Sequence, residues 1–102
     1  MKVYGKTFTN PSSGSSTAVD WNGGTGMFAI QGTFPSGCSI KLQHKIGEGA
    51  GAVWQDVGAD ATLTESGATL FTTSSVELQV VNSSHTPTVT VSVLPVYDNK
   101  AL

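Results

Sequence analysis

Apolar and polar residues alternate along most of this chain, and a period of two is what a β-strand with one buried face requires. After Cys38 the sequence runs Ser39-Ile40-Lys41-Leu42-Gln43-His44-Lys45-Ile46. That order puts Ile40, Leu42, His44 and Ile46 on one face and Lys41, Gln43 and Lys45 on the other. Val76 to Val80 repeats the pattern with Glu77 and Gln79 outward, and Thr88 to Val93 repeats it with three valines inward. Between Met27 and Phe34 the alternation is less clean, but Phe28, Ile30 and Phe34 fall on one side; Val53 to Val57 is a shorter version. No stretch carries the three-to-four-residue apolar period of an amphipathic helix.

Turn-forming clusters divide these runs: Asn10-Pro11-Ser12-Ser13-Gly14, Asn22-Gly23-Gly24, Pro35-Ser36-Gly37, Gly47 to Gly51, Ser66-Gly67 and Asn82-Ser83-Ser84. The spacing predicts about eight short antiparallel strands, over 2–9, 17–20, 26–34, 38–46, 53–57, 61–64, 69–72, 75–82 and 86–97. The pieces 61–64 and 69–72 read as one edge element or as a loop. Gly47 to Gly51 reads as a hairpin tip, because glycine tolerates the positive φ of tight turns. The predicted fold is all-β, a single two-sheet β-sandwich of Ig-like or jelly-roll type. Its expected core contains Phe28, Ile30, Ile40, Leu42, Trp54, Leu78, Val80 and Val91.

Composition narrows the function. The 102 residues include 12 Gly, 12 Ser and 13 Thr, with five Lys, no Arg, seven acidic residues and one Cys. One domain fills that length. A single Cys excludes an intramolecular disulfide framework and a multi-Cys zinc site within the chain. A net charge of −2 without Arg argues against the phosphate-neutralising surface of a nucleic-acid binder. The chain starts at Met, with neither the apolar h-region of a secretory signal nor a run of roughly 18–20 apolar residues, so it is expected to act without secretion or membrane insertion.

No catalytic or metal-binding constellation emerges from the residue pattern. His44 and His85 lack a Cys or carboxylate at ligand spacing, and the carboxylates are scattered rather than paired for glycoside hydrolysis. Asp20 to Gly24 offers oxygen atoms but reads as a turn stabilised by its own Asp and Asn. No Gly-x-Ser-x-Gly elbow occurs, and Gly47-Glu48-Gly49-Ala50-Gly51-Ala52 follows a strand without opening a helix, where a pyrophosphate would sit. Cys38 reads as a small half-buried hydrophobe. Trp54 reads as core or as a sugar-stacking platform, and Trp21, ahead of a Gly-Gly turn, as an exposed anchor or as core. The expectation is a protein that is not an enzyme and uses no cofactor.

The segment Val19-Asp20-Trp21-Asn22-Gly23-Gly24-Thr25-Gly26-Met27-Phe28-Ala29-Ile30-Gln31-Gly32-Thr33-Phe34 is followed by Ser39 to Gln43, by Trp54-Gln55-Asp56-Val57-Gly58 and by Val76 to Val80. Together these resemble a group of small β-rich virion proteins of tailed bacteriophages, the capsid decoration or cement proteins. The resemblance spans roughly residues 17–97, with the Trp-Asn-Gly-Gly turn and the later Trp-x-Asp-Val as its most telling parts. Such proteins often carry an Arg on the penultimate long strand, where this chain has Glu77, so no role is carried over to that position.

The resemblance implies a non-enzymatic virion structural protein, made in the bacterial host cytoplasm, that binds the outer surface of a capsid. Its implied partners are the major capsid protein and neighbouring copies of itself, with no nucleic acid, membrane or small-molecule ligand. Residues 17–102 would form the sandwich. Residues 1–16 would form an N-terminal strand or arm, either exchanged onto a neighbour or retained as the first strand of its own sheet. Expected interface anchors are Val3, Tyr4 and Phe8 on that strand, with Trp21. The competing readings are a carbohydrate-binding or host-adhesion sandwich stacking sugars on Trp21 or Trp54, and another phage head or tail accessory protein.

Overall fold

A computed structural model describes residues 4–10, 14–58, 61–83 and 87–96. Among them run nine strands: β1 (Lys6–Thr9), β2 (Gly14–Asp20), β3 (Gly24–Thr33), β4 (Ile40–Ile46), β5 (Val53–Asp56), β6 (Thr62–Leu63), β7 (Gly67–Thr73), β8 (Glu77–Asn82) and β9 (Thr88–Pro95). They build two antiparallel sheets, so the chain is an all-β two-sheet sandwich. The first sheet has the order β1-β9-β3-β7; the second has β2-β8-β4-β5, with β6 pairing to the start of β4. Only β4 and β5 are sequence neighbours in a direct hairpin. Its loop is the Gly-rich one, where Gly47 (φ +88°) and Gly49 (φ +66°) take left-handed conformations that other residues resist.

The alternation read from the sequence becomes the space between the sheets. Phe28, Ile30, Val91 and Val93 point inward from the first sheet; Ile40, Leu42, Leu78 and Val80 meet them from the second, all at most 2% exposed. Burying each of these side chains contributes about 1.5–3 kcal/mol. Trp21 and Phe71 close one end, ring centroids 5.2 Å apart. Their fit depends on Gly26, where a Cβ would run into the Trp21 ring and stand 2.7 Å from that of Phe71.

Several expectations change at the elements themselves. The pieces at 61–64 and 69–72 are neither one edge element nor a loop: β6 is a two-residue strand on the second sheet, and β7 is a seven-residue edge strand of the first. The boundary drawn at 16/17 falls inside β2, which pairs with β8 from Gly14 onward across an irregularity between Ser15 and Thr17. β1 lies on β9 of its own sheet. It stops at Asn10 (φ +49°), whose N–H donates to Val89 O (2.9 Å) while its Oδ1 accepts the Val89 N–H (2.9 Å). Asn tolerates the left-handed region because its short side chain bonds locally, and here it prolongs the β1–β9 ladder.

Candidate adhesive face

Strand register places specific residues on the outer side of the first sheet. Met27 on β3 stands opposite Leu70 on β7 and Leu94 on β9, so three apolar side chains line up across three strands. They are 36%, 64% and 38% exposed, which makes a ridge of apolar surface in water. The next row is small: Ala68, Ala29, Ser92 and Thr7 are successive partners across the sheet. Ala68, Ala29 and Ser92 line a shallow depression of about 470 Å³ beside the ridge, together with Gln31 and Thr90.

Hydroxyl pairs finish the face. Thr25 Oγ1 and Thr72 Oγ1 are 3.0 Å apart, and Thr7 Oγ1 donates to Ser92 Oγ at 3.3 Å. Among the described residues of the four strands, the one charge is Lys6. It lies on the inward side with Phe8, its Nζ 5.9 Å from the ring centroid. The outer face of this sheet is therefore uncharged among the described residues, with an apolar ridge, a hollow and two pairs of mutually bonded hydroxyls. Such a surface can exclude water against a partner without desolvating an ion.

On the second sheet the outward positions carry charge and amides. Gln79 Nε2 donates to Gln43 Oε1 (2.6 Å), Gln43 Nε2 donates to Asp56 Oδ1 (2.9 Å), and Lys41 Nζ stands 3.2 Å from the same carboxylate. An ionised carboxylate only accepts, so it fixes the Gln43 amide orientation and hence the direction of the whole relay. The Gln43 amide, followed by Lys41, holds the Asp56 carboxyl below its ordinary value. Lys45 Nζ and Glu77 Oε1 add a second pair at 3.4 Å.

His44 sits in the inward register, half-buried, and its Nδ1 lies 2.7 Å from Thr73 Oγ1 on the first sheet. Thr73 Oγ1 also accepts the Ser75 N–H (3.1 Å), while Ser75 Oγ lies within hydrogen-bond distance of Lys45 O and Glu77 O (2.9 and 2.8 Å). This network ties the two sheets together where Phe71 and Leu78 give way to polar neighbours. Glu48 lines the adjoining cleft of about 540 Å³, but no hydrogen bond joins it to His44 among the described residues. No group of three metal-ligating side chains occurs among them either.

Phe28, Ile30, Ile40, Leu42, Leu78, Val80 and Val91 lie in the core cluster. Trp54 does not. It stands opposite Lys45 on the outward side of the short edge strand β5 and is half-buried there, because Val53, Gln55 and Val57 take the other side. Trp21, read as an exposed anchor, is 2% exposed and packs against Phe71, so it offers no platform for a partner or a sugar. Its Nε1 is buried with no hydrogen-bond partner among the described residues, although its ring lines a cleft of about 380 Å³ with Tyr4 and Val96. Phe8 packs half-buried on the core rather than projecting outward, and Tyr4 is half-buried. Val3 and His85 lie outside the described residues.

Cys38 is fully rather than half buried, its Sγ 3.4 Å from Asn82 Oδ1. Met27, Leu70 and Leu94, which form one exposed apolar group, were not among the expected anchors; Ile46, Val53 and Val76 are exposed as well, with Ile46 opposite Val53 at the β4–β5 hairpin. The signal of the first group was available as breaks in alternation: Leu70 and Leu94 occupy outward positions where threonine and serine are the rule.

No protein-family model, curated protein or solved structure matches the chain.

Proposed function

We propose that this chain is a non-enzymatic structural protein of a tailed-phage virion that binds the outer surface of the capsid. The docking surface in this reading is the outer face of the first sheet. The observation that carries it is the uncharged ridge of Leu70, Met27 and Leu94 beside its small-residue hollow. An apolar row across three strands with no charge beside it can be covered without desolvating an ion, which suits a docking surface. The resemblance of the Trp21-Asn22-Gly23-Gly24 turn and the Trp54-to-Val57 strand to decoration proteins supplies the partner, the major capsid protein, with other copies alongside. Many weak contacts suffice on a shell, because neighbouring copies raise one another's effective concentration.

The test mixes the purified protein with expanded shells that lack their decoration. Co-sedimentation and a higher shell disruption temperature are expected, both lost in Met27→Lys and retained in Lys41→Met. Absence of binding by the wild-type chain overturns the reading, and binding to tails instead of shells converts it to that of a tail accessory protein.

A further inference from the structure

A sheet edge exposes unpaired backbone N–H and C=O groups, and natural proteins blunt such edges with charge, bulges, proline or shortness. Three of the four edges here are blunted. β1 has four residues and carries Lys6; β5 has four and carries Asp56; β2 has the irregularity between Ser15 and Thr17 and ends in Asp20. β7 is different. It is seven residues long, Gly67 to Thr73, pairs with β3 in an unbroken register, and holds neither a charge nor a proline. Its start is held in place by Ser66, whose Oγ accepts the Gly32 N–H (3.0 Å) and donates to Gly32 O (2.9 Å).

We infer that the edge of β7 left unpaired among the described residues pairs with β7 of a second copy in an antiparallel, two-fold ladder centred on Leu70. The register follows from the strand itself. Leu70 is the middle residue of the seven, so only a dyad there pairs the full length. Gly67 then faces Thr73 of the second copy, Ala68 faces Thr72, and Thr69 faces Phe71. No like charges meet, because the strand has none, and such opposition is what normally forbids self-pairing. At the centre Leu70, 64% exposed in the single chain, meets Leu70 of the second copy. The two apolar ridges thereby join across the dyad into one line of six side chains, Leu94, Met27 and Leu70 followed by their symmetry mates.

This inference concerns the edge of the proposed docking face, but it does not require a virion partner and is tested without one. Under mild oxidation, Leu70→Cys is expected to form a disulfide-linked dimer in high yield. Ala68→Cys and Thr72→Cys alone should remain monomeric, while their mixture yields the heterodimer. The native Cys38 is buried and serves as the unlinked background. Sedimentation velocity of the wild type should show a concentration-dependent species of twice the monomer mass. Leu70→Lys, at an exposed site where the fold tolerates change, should weaken it at least tenfold while circular dichroism stays unchanged.

A folded Leu70→Cys that does not cross-link overturns the inference. So does cross-linking of Met27→Cys or Leu94→Cys as readily as Leu70→Cys, which would mean that whole faces meet instead of edges. If shells fail to bind but the Leu70 dimer forms, the virion reading falls and the edge pairing stands.

Discussion

The two outer faces of the sandwich are built on the same backbone plan and do opposite things with it. On the second sheet, outward positions hold Lys41, Gln43, Lys45, Glu77, Gln79 and Asp56, joined by amide and ion-pair contacts between neighbouring strands, with half-buried Trp54 and Val81 among them. On the first sheet the same kind of positions hold Thr25, Met27, Ala29, Leu70, Thr72, Ser92 and Leu94. Only 12% of the chain is charged, and the charges that fall in strands gather almost entirely on one side. A random scatter would put similar numbers on both. One face is thus built to stay hydrated, while the other is left free to be covered.

That contrast is most severely tested from below. Gly26 is the chain neighbour of Met27 but lies on the inward side of β3, where Trp21 and Phe71 fill the space a Cβ would take. Gly26→Ala therefore has to displace two rings at once, and overpacking of that kind costs about 3 kcal/mol. Chemical denaturation should show the loss, and the ridge should lose its geometry with it. A change below about 0.5 kcal/mol would mean that the ridge is not braced by the core.

A charge placed on the ridge tests the contrast from above. Met27→Lys alters an outward side chain, so its effect on folding stability is expected to stay within about 0.5 kcal/mol. Binding through this face should fall by about two orders of magnitude, roughly 2.7 kcal/mol, because the ammonium would be buried unpaired. Equal binding by wild type and variant, measured by co-sedimentation, would remove the first sheet from the interface. On the opposite face, Gln43→Ala breaks the relay from Gln79 to Asp56 and should cost about 1 kcal/mol of stability, with no effect on binding. Loss of binding there would reverse the assignment of the two faces.

The period of two was enough to read the sandwich, because burial on one face leaves a direct imprint on every second residue. The same imprint identified Phe28, Ile40, Leu42, Leu78 and Val91 as core. It put Trp54 in the core wrongly, since on a strand as short as β5 a shift of one residue exchanges the faces, and pairing with Lys45 fixes it outward. Trp21 lies just past the end of β2 but keeps the inward phase of Val19, its N–H donating to Val76 O, so its burial was legible in the alternation; the room for its ring, left by Gly26, is a long-range fact. β7 was legible only as a fragment because Gly67, Ala68 and Thr69 have little apolar contrast. The ridge was hidden for a related reason. Met27, Leu70 and Leu94 are far apart in sequence, and only the register of three strands makes them neighbours.

The smallest expected effect separates the faces by their response to acid. Gln43 and Lys41 hold the Asp56 carboxyl below its ordinary value in the folded chain. The contribution is therefore complete above the unfolded value, about 3.9, and is lost as pH falls through the lower folded value. The Asp56 side chain is 50% exposed, so solvent screening limits the gain to a few tenths of a kcal/mol. Unfolding midpoints measured from pH 6 down to about pH 3 should fall slightly less in Asp56→Asn than in wild type, and salt should narrow the gap. The first sheet has no ionisable group among its described outward residues, so pairing through β7 should pass through the same pH and salt range unchanged. Dimerisation that tracked the Asp56 titration would place the second sheet, not the first, at the contact.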